Sequence, residues 1–297
     1  MTSYPNNRPS IQDLVVAFSS VGLRTGDVVY LSTQLYGLGL LRETYTREDY
    51  LKAIYTALVS VIGSQGTLVV PTFTQQVGRF GLSFILEETE SQTGIFGEYV
   101  RKRHDSLRSL HPIFSVSAVG PLAKDICSDV SPVAFGTDSV FDRLVRIGSK
   151  AVCMGFDYYS GHIVSLMHHV ETAFAVPYYY NKLVCSPVFT NGVQIEKPFV
   201  INVKYLGMDC TFDYRLYIDT LARNGDIRSA TIGRGSIHSV SAKVMFDTGI
   251  SLLKSDMYAF LANPPRYRMG EIPLDGPPDM GAAPNEKNWV GFQLERL

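Results

Sequence analysis

Seven consecutive residues, Ser165-Leu166-Met167-His168-His169-Val170-Glu171, set a hydroxyl, an imidazole and a carboxylate at intervals of three. On a helix, Ser165, His168 and Glu171 share one face and can converge on one pocket. A neutral imidazole takes a proton near pH 7, and a carboxylate can orient it. That is the equipment of a general-base site. The same residues also fit a core histidine beside a solvated one, or a metal site built from His162, His168, His169 and Glu171. The metal reading lacks an HExxH pattern, and His162 and His168 do not share a helical face.

The elements around this segment suit a site. The apolar run Ala151-Val152-Cys153-Met154-Gly155 reads as a buried parallel strand, and Asp157 to Gly161 as a polar turn before the next helix. In α/β proteins the site usually lies at the carboxyl end of a strand, where a helix begins. Upstream, Ser10 caps a helix to Val21, Asp27–Leu31 reads as a strand, Thr46 with Asp49 starts a helix to Ile62, and Gly66–Pro71 reads as a second strand. This order predicts a parallel βαβ pair. The stretch from Val77 to about Thr93 reads as an irregular excursion over the sheet edge that could line a cleft. Gly94–Arg103 reads as a helix, Phe114–Val119 as a strand, and Ser139 as the cap of a helix through Val145. Val184–Val203 and Thr211–Tyr217 look like hairpin material, with Asn191-Gly192 as a turn. Helices are predicted around Ser236–Phe246 and Gly249–Leu253.

The fold class expected is α/β: a central, mostly parallel sheet flanked by helices, with a β-rich part toward the C-terminus. It forms one domain over 1–270, with the β-rich subdomain at about 178–235 and a tail at 271–297. With 297 residues, 45% hydrophobic and 19% charged, the chain has ample material for a core. A net charge of −1 argues against nucleic acid and gives no pull toward a membrane. The N-terminus lacks the apolar core of a signal peptide, and four scattered cysteines without CxxC fit a reducing cytoplasm.

Two further motifs could bind a ligand. Ser32-Thr33-Gln34-Leu35-Tyr36-Gly37-Leu38-Gly39 follows a strand, and its hydroxyls and glycines would let backbone approach phosphate oxygens. An ordinary strand-to-helix turn fits it as well. Arg101 to Ser109 concentrates positive charge, either as a solvated helix end or as a phosphate contact made by Arg108 and Ser109. His111-Pro112 can fix the direction of the following loop.

In this order, the pieces resemble the aminoglycoside 3-N-acetyltransferase family, from about Ser10 to Phe260. The family's His-Ser-Ser-like loop corresponds to Tyr30-Leu31-Ser32-Thr33, and its Gly-Thr-Leu strand to Gly66-Thr67-Leu68-Val69-Val70-Pro71-Thr72. Its Arg-Ser-x-His-Pro-x-x-Ser element corresponds to Arg108–Ser115, and its Thr-x-x-His-x-x-Glu signature to Ser165–Glu171. Leu31 replaces the His of many members, and Ser165 replaces Thr. The resemblance implies the antibiotic N-acetyltransferase fold, distinct from GNAT enzymes, and transfer of an acetyl group from acetyl-CoA to an amine without a metal. It implies His168 as general base, Glu171 orienting it or meeting the substrate amine, and Ser165 close to the thioester. Ser32, Thr33, Gly37, Gly39, Arg108, Ser109 and His111 would hold the co-substrate. Asp157 and Tyr158 would join Glu171 on the substrate side. The acceptor expected is an amino sugar or an aminoglycoside, with antibiotic resistance as one case. Transfer of another acyl group and a non-catalytic CoA- or sugar-binding relative remain as alternatives. The oligomeric state is open, a homodimer included.

Overall fold

In a computed structural model of the chain, residues 8–156, 164–205, 208, 210–267 and 270 are described. The elements begin with α1 (Ile11–Ser20), β1 (Val28–Thr33), α2 (Leu35–Leu38), α3 (Arg47–Ile62), β2 (Thr67–Pro71), α4 (Gln75–Phe80), β3 (Phe84–Ile85) and α5 (Ile95–Arg101). Then come β4 (Leu107–Arg108), β5 (Val116–Val119), α6 (Ala123–Cys127), α7 (Val140–Ile147), β6 (Lys150–Met154) and α8 (Val164–Phe174). The last are β7 (Tyr179–Val184), β8 (Val188–Thr190), β9 (Val193–Gln194), β10 (Phe199–Lys204), α9 (Arg215–Arg223), β11 (Arg228–Ile232), β12 (Gly235–Ser241) and α10 (Ala242–Ser255).

The starts of two helices follow directly from sequence. Ser10 with Asp13, and Thr46 with Asp49, close capping boxes on α1 and α3. Each cap contributes about 1 kcal/mol by satisfying amides that the first turn leaves unpaired.

The main sheet has seven strands in the order β11-β12-β6-β1-β2-β5-β4. Its centre, β6-β1-β2, is parallel, as the βαβ order predicts. The antiparallel strands β12 and β5 flank that centre, so the outermost β11 and β4 again point with it. Period-2 alternation divides the strand side chains between two cores. Val28, Tyr30, Ala151 and Cys153 face one core with α7, α8 and α10. Val29, Leu31, Val152 and Met154 face the other with α1 and α3. The site helix α8 therefore covers the Tyr30 and Cys153 face.

Two glycines let backbone cross backbone beside that face. A Cβ on Gly37 would lie 2.1 Å from the Gly155 carbonyl oxygen, and one on Gly155, at φ +82°, would lie 2.2 Å from that of Gln34. What crowds Gly37 is thus the chain's own exit from β6. Gly39, at φ +83°, ends α2 in a conformation that glycine adopts readily.

Three sequence expectations need correction. Thr211–Tyr217 is not hairpin material: α9 starts within it, and buried Tyr217, Ile218 and Leu221 recur at helical spacing. Ser236–Ser241 is a strand, β12, which places Ile237 and Val240 in opposite cores; the helix begins only at Ala242, capped by Ser241. Because β11 and β12 complete the main sheet, the accessory β structure spans β7 to β10 and does not reach residue 235. The excursion at 77–93 contributes to it, since β3 pairs in parallel with β8. The Asn191-Gly192 turn joins β8 and β9 with both residues at positive φ.

Candidate active site

Helical spacing on α8 brings Ser165, His168 and Glu171 to one side, and all three are buried. Glu171 is 0% exposed. Its Oε2 lies 2.9 Å from His168 Nδ1, and it accepts hydrogen bonds from Tyr179 Oη at 3.0 Å and, on Oε1, from Tyr178 Oη at 2.8 Å. Tyr179 Oη is also 3.1 Å from His168 Nδ1. Phe135 and Phe212 pack against the imidazole with ring centroids 5.6 and 5.7 Å away. A carboxylate this deep needs donors to offset its lost hydration, and two phenols and an imidazole supply them.

Strand β1 meets the same helix through Tyr30. Its hydroxyl lies 2.7 Å from Ser165 Oγ, and burial pushes its pKa up, so the phenol keeps its proton. Ser32, two residues on along β1, interacts with the same phenol. Ser32 and Thr33 are half-buried, in register with Cys153 and Met154 at the end of β6. Tyr30 lies in the Tyr30–Thr33 loop motif, but the sequence assigned it no role. Its signal was period 2, which sets it on the Ser32 side of β1.

The remaining candidates have other surroundings. The Arg108 guanidinium donates to the carbonyls of Thr72, Leu86 and Thr89 and to Ser115 Oγ. Its fork is directed at the protein's own acceptors rather than outward at an anion. Burial and nearby Arg101 lower its pKa to about 9. Ser109, fully buried, accepts from the Val116 amide. His111 Nδ1 accepts from the amides of Ile113 and Phe114, while Nε2 faces the Val200 carbonyl at 3.4 Å. These three residues shape the loop between β4 and β5. Tyr178 is fully buried. In the 77–93 stretch, Glu87 holds Thr190 and Asn191, and Glu90 pairs with Lys102. Asp157, Tyr158 and His162 lie outside the described residues. Among the described residues, no group of His, Cys, Asp and Glu is arranged to hold a metal ion. Among them, too, no helix is long and apolar enough to cross a membrane.

His169 points away from His168. Its Nδ1 accepts from the Gly136 amide, and its ring packs on Phe246. Burial depresses the pKa of both His111 and His169 to about 4, with Asp142 opposing the shift at His169. Between about 6.5 and 4 the unfolded chain binds more protons at these sites, so their stabilisation is complete above 6.5 and falls away toward 4. The melting temperature is expected to drop from pH 7 to pH 5, and His169→Asn to flatten that slope in denaturant titrations. An unchanged slope in variants at both positions would contradict this origin.

The family model for aminoglycoside 3-N-acetyltransferases matches residues 41–254. Aminoglycoside N(3)-acetyltransferase VII of Streptomyces paromomycinus is 23% identical over 269 residues, covering 80% of this chain and 89% of that protein. Aminoglycoside N(3)-acetyltransferase IX of Micromonospora chalcea is 24% identical over 258 residues, covering 78% and 86%. Among solved structures, AAC-IIIb in a binary complex with CoASH aligns with a TM-score of 0.71 at 19% identity, over 87% of this chain and 100% of that one. At that identity the likeness is one of fold. Since the family's pattern spans most of the chain, including β6 and the helix that carries Ser165, His168 and Glu171, the protein belongs to the aminoglycoside 3-N-acetyltransferase family.

Proposed function

We propose that the chain acetylates an amino group of an aminoglycoside or related amino sugar by direct transfer from acetyl-CoA, with His168 as general base. The observation that carries this reading is the buried His168–Glu171 pair on α8, the helix whose Ser165 meets Tyr30 of β1. The curated relatives are named for N(3)-acetylation of aminoglycosides, and a further solved relative, AAC-VIa, is described as bound to sisomicin. The residues at the end of β1 suit the co-substrate: the half-buried Ser32 and Thr33 hydroxyls can meet its polar pantetheine amides.

Acetyl-CoA supplies a thioester carbonyl that a neutral amine attacks, releasing CoA thiol. An ammonium has no lone pair, so the acceptor must first lose a proton. Nδ1 of His168 faces Glu171, which leaves Nε2 to take a proton from the attacking nitrogen as the C–N bond forms and pass it to the sulfur as the C–S bond breaks, while the other proton of the original ammonium is released to solvent. Glu171, with no exposed surface, orients the imidazole rather than meeting the substrate. The Tyr30 and Ser165 hydroxyls share one hydrogen bond, and with the phenol as its donor the Ser165 proton can meet negative charge developing on the carbonyl oxygen.

The test is thiol release from acetyl-CoA with a panel of aminoglycosides and amino sugars. Stoichiometric acetylation of one amine is the expected result. CoA binding without release for any amine would overturn it.

A further inference from the structure

Resting on His168 as general base, we propose that Tyr178 and Tyr179 are positioning residues for the reaction. Their hydroxyls hold both oxygens of Glu171, so that the carboxylate fixes one imidazole tautomer and one ring orientation. The geometry gives each oxygen of Glu171 its own phenol donor. Tyr178 donates to Oε1, Tyr179 donates to Oε2, and His168 Nδ1 faces Oε2. Burial and the nearby carboxylate raise the pKa of both phenols, so each keeps its proton. Since the Tyr179 proton goes to Oε2, it does not go to Nδ1, although Oη lies within reach of that nitrogen. Nδ1 therefore carries its own proton toward Glu171, and the Nε2 lone pair is left for the acceptor.

The two tyrosines come from the start of the accessory β structure: Tyr179 opens β7, and Tyr178 precedes it. The accessory sheet thus orients the site helix through two hydroxyls. Other groups face the pair. Tyr214, just before α9, feels the Glu171 charge and also interacts with that carboxylate through its side chain, and Cys210 and Tyr267 act on Tyr178. Tyr258 packs beside Tyr178. Lys204 Nζ sits 4.2 Å from the centre of the Phe212 ring, which also packs against His168. Asp142 faces His169, not His168.

Each hydroxyl donating to Glu171 withdraws negative charge from it and weakens its hold on an imidazolium. Removing one strengthens that hold and loosens the geometry. Tyr179→Phe is expected to lower kcat about tenfold, with the KM for acetyl-CoA little changed and the acid limb of the kcat/KM profile moved to higher pH. In a Glu171→Gln background the same substitution should have almost no further effect on kcat, because its route to the base is already cut. A wild-type kcat and acid limb in Tyr179→Phe, or an equal loss in both backgrounds, would overturn the proposal. Tyr178→Phe, which touches only Oε1, repeats the test independently. Nitrogen NMR of His168 in the unaltered protein reads the tautomer directly: a proton on Nδ1 is expected, and one on Nε2 in the neutral ring would refute the assignment. His168→Gln serves as the control for the underlying reading. If it retains kcat, the general-base assignment fails; if it loses kcat while both tyrosine variants behave as wild type, only the positioning role fails.

Discussion

Replacing His168 by Ala is expected to reduce acetyl transfer by about 10³-fold or more, since a positioned general base contributes roughly 10²–10⁴-fold. CoA binding should survive, because the hydroxyls at the end of β1 remain in place. The residual rate should climb with pH as solution supplies more neutral amine, whereas the unaltered enzyme should level off. Removing the ring also empties space against Phe135 and Phe212, so some stability will be lost. Thiol-release kinetics across pH, with calorimetry for CoA, separate these effects. Undiminished turnover in a folded variant would sink the base assignment. A parallel loss of CoA affinity would instead point to a ligand-binding role for the ring.

Arg108→Met should produce the largest loss of stability, about 3–5 kcal/mol, by leaving buried acceptors without a donor. The guanidinium joins the Thr72 carbonyl beyond β2 to those of Leu86 and Thr89 near β3, and to Ser115 before β5. No aliphatic side chain replaces those bonds, and the hydroxyls of Thr72 and Ser115 around it are also buried. The melting temperature should fall on the order of 10 °C. Below that transition, CoA affinity should change only slightly. A variant that melts like the unaltered protein but binds CoA about 100-fold more weakly would return Arg108 to the phosphate-contact role its motif suggested.

Much of the scaffold was readable because the signals are local. Ser10 with Asp13 and Thr46 with Asp49 mark helix starts through side-chain bonds within one turn. The Asn191-Gly192 turn needs only two residues that tolerate positive φ. Misreadings arose where local composition competed with tertiary placement. Tyr217 and Ile218 favour strand by type, yet with Leu221 they form the buried stripe of α9. Ser236–Ser241 carries little helix or strand preference, and becomes β12 because β6 offers it an open edge. The loop after β4 carried a ligand-like motif, but Arg108, Ser109 and His111 are engaged within the fold itself.

The sequence alone determined that Ser165, His168 and Glu171 share a helix face, because a 3.6-residue period fixes their angular relation whatever surrounds them. Only the tertiary structure decided what closes around that face. Tyr30 reaches Ser165 across 135 positions of chain, and Tyr178 and Tyr179 turn back from the next strand to occupy Glu171. Such contacts depend on how sheet and helices stack, which no local period encodes. The spacing of imidazole and carboxylate is a local fact, whereas their burial and the hydroxyls that hold them follow from topology.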